Sequence, residues 1–250
     1  MKKIFSLTFV LFFTITSFSQ IVNIEKKRKQ KNGFQTTIGL DLNLKESGTR
    51  ILELKNNIDL QYSHKAHNII LLNDIKLLSV DGGSLINNGF QHLRYNYTLK
   101  DSSFLTLEAF GQHQYNEQKL LKKRIIAGGG PRFRILQNKN ISWYFAPLVM
   151  YEFELLSDNE NTETGLFRLD SYTNFRASIG KSVSFNLIAY YQPDFGNIND
   201  FRVSGESGFR FHINKYLSFA VNYAFDFDSD PPVDVQNTFW YFKNTLILKL

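Results

Sequence analysis

Hydrophobic and polar residues alternate along most of the chain after residue 32. In the stretch VSFNLIAYY, the apolar residues Val183, Phe185 and Leu187 alternate with Ser184 and Asn186. The stretches GFQTTIGLDLNL, RILELKNNIDLQY and LSFAVNYAFDF show the same period of two. Successive side chains of a strand point to opposite faces, whereas a helical pattern repeats about every 3.6 residues. The pattern therefore predicts an all-β protein.

Short stretches rich in turn-forming residues separate the alternating runs. In order, they are KESGT, SHKAH, VDGGS, LKDSS, YNEQK, QNKN, SDNENTET, GK, PDFGNIND, NKY and DSDPPVDV. They divide the chain into about twelve strands of about ten residues, the length that a tilted strand needs to cross a bilayer. From QNKN onward, short breaks alternate with longer and mostly acidic ones, as in outer-membrane barrels. We therefore predict a transmembrane, antiparallel, up-and-down β-barrel with both termini on the short-turn side.

The two faces of the predicted strands differ in charge. On the first two and the last five strands, the apolar face carries no charged residue. An Arg or Lys that faces lipid at the midplane costs roughly 2–4 kcal/mol, so this pattern favours a barrel surrounded by outer-membrane lipid over a soluble sandwich. The charged residues of the opposite faces are predicted to line the lumen: Glu108, Arg168, Asp170, Arg176, Arg202, Glu206, Arg210, Asp226 and Lys243.

The start of the chain has the features of an export signal. Lys2 and Lys3 precede the apolar run IFSLTFVLFFTITSF, and small residues follow. This arrangement predicts a signal peptide over residues 1–19, followed by a basic periplasmic leader over 20–32 and the outer-membrane barrel over 33–250. We therefore expect export in a Gram-negative cell.

The final residues, TFWYFKNTLILKL, alternate once more. We expect this strand to pair with the first strand, because a closed barrel leaves no free edge. The strand also resembles the C-terminal strand by which the barrel-assembly machinery recognises its substrates, although Leu250 replaces the aromatic residue commonest at its end.

Composition excludes several partners and cross-links. The chain contains no cysteine, which excludes a disulfide framework and a Cys-based metal site. It has 29 Lys and Arg against 23 Asp and Glu; without Lys2 and Lys3 the balance is 27 against 23, or +4. This small excess does not imply a nucleic-acid partner.

The stretch RIIAGGGPRFRI interrupts the regular pattern. Parity places Ile125 and Phe133 outward, with a basic ladder from Lys122 to Arg134 inward. Pro131 has no backbone N–H to donate, so we expect a bulge there, which reverses the parity that follows. The glycine run matches neither the dinucleotide-binding nor the P-loop spacing, and a bent or closely packed strand is the preferred interpretation.

Several short motifs resemble a known family. They are Tyr-Gln-Pro-Asp at 191–194, Asp-Phe-Arg at 200–202 and Asp-Pro-Pro at 230–232. With the stretches around them, they are similar to the salt-induced outer-membrane proteins of unknown function that are related to YdiY. The resemblance covers roughly residues 30–250 and implies an outer-membrane barrel, but no catalytic or binding residue. The signal-peptide ending Ser19-Gln20 also resembles proteins of the Bacteroidetes.

The predicted lumen admits two functional interpretations. A barrel of about twelve strands is intermediate between one filled by side chains and one with an open channel. Salt bridges between Arg168 or Arg176 and Glu206, and between Arg210 and Asp226, plug the lumen in the first interpretation and leave an envelope component. In the second, the cationic lining forms a narrow pore that favours small anionic solutes.

A lipid-modifying enzyme of the outer membrane is the remaining alternative. Of the five histidines, only His113 lies on the lipid-facing parity near a loop, and no serine lies nearby in sequence. A nucleophilic site needs a base within hydrogen-bond reach of a nucleophile, so we predict that the protein is not an enzyme. The acidic breaks follow no calcium-loop spacing, and we expect no metal or other cofactor.

Overall fold

The computed structural model describes residues 32–99, 104–180 and 182–248. The predicted signal peptide and residues 20–31 of the predicted leader lie outside the described residues. Twelve strands form one sheet: β1 (Gly33–Glu46), β2 (Arg50–His64), β3 (His67–Val80), β4 (Gly83–Thr98), β5 (Leu105–Asn116), β6 (Leu121–Gln137), β7 (Ile141–Leu156), β8 (Glu163–Ile179), β9 (Val183–Pro193), β10 (Phe201–His212), β11 (Leu217–Asp228) and β12 (Thr238–Leu248). Each strand pairs antiparallel with the next, which confirms the predicted up-and-down order.

The connections alternate in length, as predicted for the second half of the chain. At one end of the sheet, residues 138–140 and 213–216 make short turns, and β8 ends at Ile179, only a few positions before β9 begins at Val183. At the other end, residues 157–162, 194–200 and 229–237 make longer loops. We call these the short-turn end and the long-loop end. A short 3₁₀ helix, Glu117–Lys119, joins β5 to β6 at the long-loop end. Within the described chain, no helix has the length and apolar character needed to span a membrane.

The sheet has an apolar outer surface and a polar interior. On β8, Arg168, Asp170 and Tyr172 are buried, whereas Phe167 on the opposite face is 60% exposed. The same alternation runs along β7, where Glu152 is buried between the outward-facing Tyr151 and Phe153. A soluble protein normally buries its apolar face and exposes its charges. The arrangement here is the reverse.

Contacts across the interior show that the sheet is rolled. Lys119, between β5 and β6, forms an ion pair with Asp226 on β11 and lies 4.6 Å from the ring of Phe239 on β12. The Tyr172 hydroxyl on β8 donates to Glu108 on β5 at 2.8 Å. Strands this far apart in the sheet order meet only when the sheet curves around them.

The predicted pairing of the last strand with the first is not observed among the described residues. Within the described residues, β1 pairs with β2, β12 pairs with β11, and no ladder joins β1 to β12. The cross-interior contacts that roll the sheet come from β4 to β12, and β1 lies at the far edge from them. Leu40 and Leu42 of β1 are each 70% exposed. We call the gap between β1 and β12 the seam.

The glycine run of β6 is a place of close backbone approach. A Cβ on Gly128 would lie 2.6 Å from the carbonyl oxygen of Val149 on β7, and one on Gly129 would lie 2.6 Å from that of Glu108 on β5. Real Cβ atoms do not come this close to backbone atoms, so both positions need glycine. This confirms a closely packed strand.

The bulge that Pro131 predicted lies elsewhere. Pro131 stays in register with Leu107, and the irregularities fall at Leu121/Lys123 and Arg134/Leu136, nearer the strand ends. Consequently Arg124 and Arg132 are both buried on the inward face. Lys122 was expected inward, but it lies at the first irregularity and is exposed.

Candidate functional site

Charged side chains fill the interior at the long-loop end. Among the described residues, seven form a continuous set of ion pairs, and the pair of Lys119 with Asp226 borders a cavity that members of this set also line. We call these nine residues the charge network: Lys119, Arg124, Glu152, Glu154, Arg168, Asp200, Arg202, Asp226 and Asp228. Four of these residues are cationic and five are acidic. The set includes groups from β6, β7, β8, β10 and β11 and from two connections.

Glu152 is the central acceptor of the charge network. Arg202 Nη1 lies 2.7 Å from both of its carboxylate oxygens, and Arg168 Nε donates to Oε1 at 3.0 Å. Arg124 Nε lies 3.5 Å from Oε2. The side chains of Glu152 and Arg168 are only 2% and 1% exposed. A buried carboxylate is stable only when it is paired in this way.

Arg202 connects three strands of the network. Besides Glu152, its guanidinium donates to Glu154 through Nη2 at 3.1 Å and to Asp228 through Nε at 2.8 Å. Glu154 also pairs with Arg124. Arg202 therefore uses all three of its nitrogen atoms, and a fork of donors in fixed geometry suits this role.

Arg168 ties the β9–β10 loop to the network. Its Nη2 donates to both carboxylate oxygens of Asp200 at 3.0 and 2.9 Å, and Nη1 lies 3.3 Å from the carbonyl oxygens of Gln192 and Asp200. Burial raises the pKa of the Asp200 carboxyl, and the Arg168 guanidinium opposes this effect. The β9–β10 loop is therefore anchored to the interior at the long-loop end.

The three motifs that carry the family resemblance surround the charge network. Gln192 of the first motif donates to Asp170 at 2.8 Å. Asp200 and Arg202 of the second are members of the network. Pro231 and Pro232 of the third border a small cavity together with Lys119 and Asp226. Burial lowers the pKa of the Lys119 ammonium, and the carboxylate of Asp226 opposes this shift.

A second buried group lies deeper in the interior. Glu108 accepts hydrogen bonds from Arg94 Nη1 at 2.9 Å and from the Tyr172 hydroxyl at 2.8 Å, with Arg132 Nε at 3.7 Å. Arg132 also lies 3.7 Å from the ring centre of Tyr144. A cavity of only about 40 Å³ borders the charge network at Arg124, Glu152 and Arg202, and it holds at most a few water molecules.

The short-turn end of the interior is open. A cavity of about 690 Å³, which we call the vestibule, lies between the β6–β7 turn and strands β8 to β11. Its polar lining includes Lys139, Arg176 and Arg210 with Asn186 and Asn222. None of the lining residues that the structure describes is acidic. The interior thus changes from a filled, charge-balanced end to an open, cationic end.

The nine residues predicted to line the lumen occupy different positions in this arrangement. Arg168, Arg202 and Asp226 belong to the charge network, and Glu108 and Asp170 are buried next to it. Arg176 and Arg210 line the vestibule. Glu206 is half-buried, and the exposed Lys243 pairs in register with Asn222 on the inward face.

One predicted salt bridge is wrong, because Asp226 pairs with Lys119 rather than with Arg210. Of the two partners predicted for Glu206, Arg168 pairs with Glu152 and Asp200 instead. The sequence reasoning missed the central residue, Glu152. Its signal was present, because MYEFEL alternates acidic with aromatic residues in the way the other strands do.

His113 takes part in a polar row on the outward face. Its Nδ1 lies 2.7 Å from Gln91 Oε1, and Gln91 Nε2 donates to Asn73 at 3.0 Å. Asn73 in turn donates to Asn56. The row crosses β2 to β5. The imidazole of His113 therefore already has a hydrogen-bond partner, the amide of Gln91. Within the described residues, no group of three or more His, Cys, Asp or Glu side chains is arranged to hold a metal ion.

Comparisons with known proteins give one family match and several structural similarities. The model of the family described as "Protein of unknown function, DUF481" matches residues 30–249. The NanC porin is 10% identical over 85% of this chain and 100% of its own, with a TM-score of 0.46. A bacterial polysaccharide outer membrane secretin is 10% identical over 87% and 90%, with a TM-score of 0.46. OmpT of Vibrio cholerae is 10% identical over 86% and 95%, with a TM-score of 0.26. No curated protein matches the chain.

Proposed function

The chain belongs to the DUF481 family of proteins of unknown function, as its resemblance to such a family indicated, and we propose that it is an outer-membrane β-barrel whose lumen is closed at the long-loop end. The observation that carries this proposal is the burial of Glu152 among Arg124, Arg168 and Arg202. On this proposal the protein is an envelope component without solute flow. Its Bacteroidetes origin stays a prediction.

The outward face supports a location in the bilayer. Large apolar side chains are exposed along this face on every strand from β1 to β12, for example Leu42, Phe167 and Leu246. Soluble proteins rarely expose contiguous apolar patches larger than a few hundred Å². Lipid would cover this surface, and the barrel-assembly machinery would insert it.

A location in the bilayer requires the seam to close. Unpaired strand edges are not tolerated in hydrocarbon, because no water satisfies their N–H and C=O groups. The apolar faces of β1 and β12 both continue the outward surface of the sheet. We therefore propose that insertion joins β1 to β12 and closes the barrel.

The interior supports a closed lumen over a pore. The charge network spans the lumen from Lys119 to Asp226, and the cavity beside it is only about 40 Å³. An ion that crosses this region must separate buried pairs such as Arg202 and Glu152, and breaking a buried pair costs about 3–5 kcal/mol. The second candidate function, a narrow pore for small anionic solutes, is favoured only by the cationic lining of the vestibule.

Conductance in a planar bilayer tests the closed lumen. We expect the refolded chain to be silent, and Arg202→Ala to give current steps, because it removes side-chain volume and leaves Glu152 and Glu154 short of a partner. Arg50→Ala is the matched control, since Arg50 is an exposed arginine paired only locally with Glu46. Steady steps from the unmodified chain would refute the proposal, and anion selectivity would then favour the pore.

A lipid-modifying enzyme has less support. His113 is the one histidine that the sequence suggested, and its Nδ1 interacts with the Gln91 side chain. We propose that this histidine stabilises the outward face. Unchanged lipid composition in cells that carry His113→Gln would agree, whereas loss of a modified lipid would favour the enzyme.

A further inference from the structure

We propose that the vestibule binds a small, soluble, multiply charged anion that carries carboxylate or phosphate groups. The inference deepens the proposed function and rests on it for the orientation, in which the short turns and the mouth of the vestibule face the periplasm. The charge network closes one end of the lumen, so the vestibule is a cup that can hold a solute without passing it.

A row of hydrogen-bond donors lines the vestibule at Ser142, Arg176, Asn186 and Asn222 and continues in register to Lys243. The register places one inward-facing residue of each of six successive strands side by side, and we call this the anion row: Ser142, Arg176, Asn186, Gly208, Asn222 and Lys243. A cation lies toward each end, and a glycine lies near the middle. Every side chain in the row can donate a hydrogen bond except that of the glycine.

A second register row lies closer to the mouth and adds to this set. Arg210 of β10 pairs with Ser184 of β9, which pairs with Ser178 of β8. Arg210 is exposed, so its guanidinium is accessible to a ligand that enters from solvent. Guanidinium groups match the planar, two-oxygen geometry of carboxylate and phosphate.

Gly208 lies under two amide side chains at the centre of the row. A Cβ on this residue would lie 2.7 Å from Asn222 Oδ1 and 2.9 Å from Asn186 Oδ1. The two amide side chains therefore converge over the glycine from both neighbouring strands. Their oxygen atoms face the glycine, and the cation of Arg176 lies beside Asn186 and that of Lys243 beside Asn222 in register.

The distribution of acids makes the vestibule selective for anions. The acidic groups of the charge network neutralise its arginines at the other end of the lumen. Glu206 is the nearest acid in register on β10, one inward position deeper than Gly208, and it is not among the lining residues. The described lining therefore combines three cationic side chains with neutral polar and apolar residues.

Isothermal titration calorimetry of the refolded full chain in non-ionic detergent tests this site. The probes are citrate and inorganic pyrophosphate at low salt, with glycerol as the uncharged control. We expect one saturable site for an anion and none for glycerol. Arg176→Gln and Lys243→Gln should each weaken binding about tenfold, since each removes a charge-assisted contact.

Two further variants distinguish binding at a defined site from general electrostatic attraction to a basic protein. Gly208→Ala keeps every charge but fills the space under the amides, and we expect weaker binding at unchanged fold, because the atoms it meets are ends of flexible side chains. Arg50→Gln removes an exposed arginine at the long-loop end and should bind as the unmodified chain does. If Arg176→Gln fails to fold, Arg210→Gln at the exposed mouth replaces it.

The outcomes are distinct from those of the conductance test. No binding of either anion, or equal weakening by Arg50→Gln and Arg176→Gln, would overturn the anion site and leave the closed lumen unaffected. Saturable binding that depends on Arg176 in a chain that conducts would support the site and refute the closed lumen. A binding difference between citrate and pyrophosphate would identify the oxyanion class.

Discussion

Arg202 and Glu152 are in contact although their strands are not neighbours in the sheet. Arg202 Nη1 on β10 lies 2.7 Å from both carboxylate oxygens of Glu152 on β7, with β8 and β9 between them in the strand order. The contact exists only because the sheet curves, and it holds the two sides of the curve together. The ion pair is therefore part of the fold as well as the closure of the lumen.

The charge network should contribute strongly to stability. Glu152→Gln keeps the size of the side chain but removes the charge that Arg168 and Arg202 share, and we expect a loss of about 3–5 kcal/mol in the free energy of unfolding. Urea unfolding in lipid vesicles, followed by the fluorescence of Trp143 and Trp240, measures it. Glu46→Gln is the control, because the pair of Glu46 with Arg50 is exposed and worth less than about 1 kcal/mol. Equal effects of the two substitutions would contradict the assigned role.

Glycines of neighbouring strands should differ in their tolerance of alanine. Gly128→Ala and Gly129→Ala each bring a Cβ within 2.6 Å of a backbone carbonyl oxygen, so the backbone must shift. We expect each to cost about 1–3 kcal/mol, as overpacking does. Gly111→Ala on β5 is the matched control, since its Cβ would lie 3.9 Å from the nearest atom, Ile126 O. The same unfolding assay compares them, and an equally large loss from Gly111→Ala would show that crowding is not the cause.

Strand number and strand position could be predicted from the sequence because they depend on local signals. A period of two is visible within a single strand such as Val183–Pro193, and a break such as DSDPPVDV ends a strand whatever lies beside it. The inward position of Arg124 and Arg132 could also be predicted, since parity carries through the glycine run when no bulge interrupts it.

The partners in the interior could not be predicted in the same way. Which side chains meet across the lumen depends on the curvature of the sheet and on the path of the loops. Lys119 reaches Asp226 from a 3₁₀ helix, and Arg168 reaches Asp200 in a loop. Alternation within one strand contains no information on such distances. It also does not determine whether the seam closes, because closure depends on the medium around the edges.

The seam should close when the chain is in a bilayer. The chain contains no cysteine, so any disulfide that forms must join two introduced cysteines. We expect Cys at Leu40 to form a disulfide with at least one of a series of single cysteines on the outward face of β12, at Trp240, Phe242, Asn244 and Leu246. Such a bond needs Cα atoms about 4.4–6.8 Å apart, which only paired or adjacent strands provide.

The seam test has a control and a clear contrary result. A cysteine at Ala127, on the outward face of β6, should not cross-link to Leu40→Cys within one chain. Cross-links between two chains, seen as dimers in a non-reducing gel, would show that a second copy covers the edge. No cross-link to any position of β12 in the bilayer would contradict closure.

The β7–β8 loop should loosen at acidic pH. Asp158 Oδ2 accepts a hydrogen bond from the Thr162 hydroxyl at 2.5 Å, and Oδ1 accepts one from the Thr162 backbone N–H at 2.8 Å. These hydrogen bonds hold the pKa of the Asp158 carboxyl below its ordinary value of 3.8.

A carboxyl whose pKa is lowered by folding stabilises the folded loop above its ordinary pKa, and that contribution is lost as the pH falls through the lowered value. Hydrogen exchange of the Thr162 amide should therefore become faster below about pH 3.8, after correction for the intrinsic rate. Asp158→Asn should remove this pH dependence because its amide does not titrate, and an unchanged profile in that variant would assign the effect to another group.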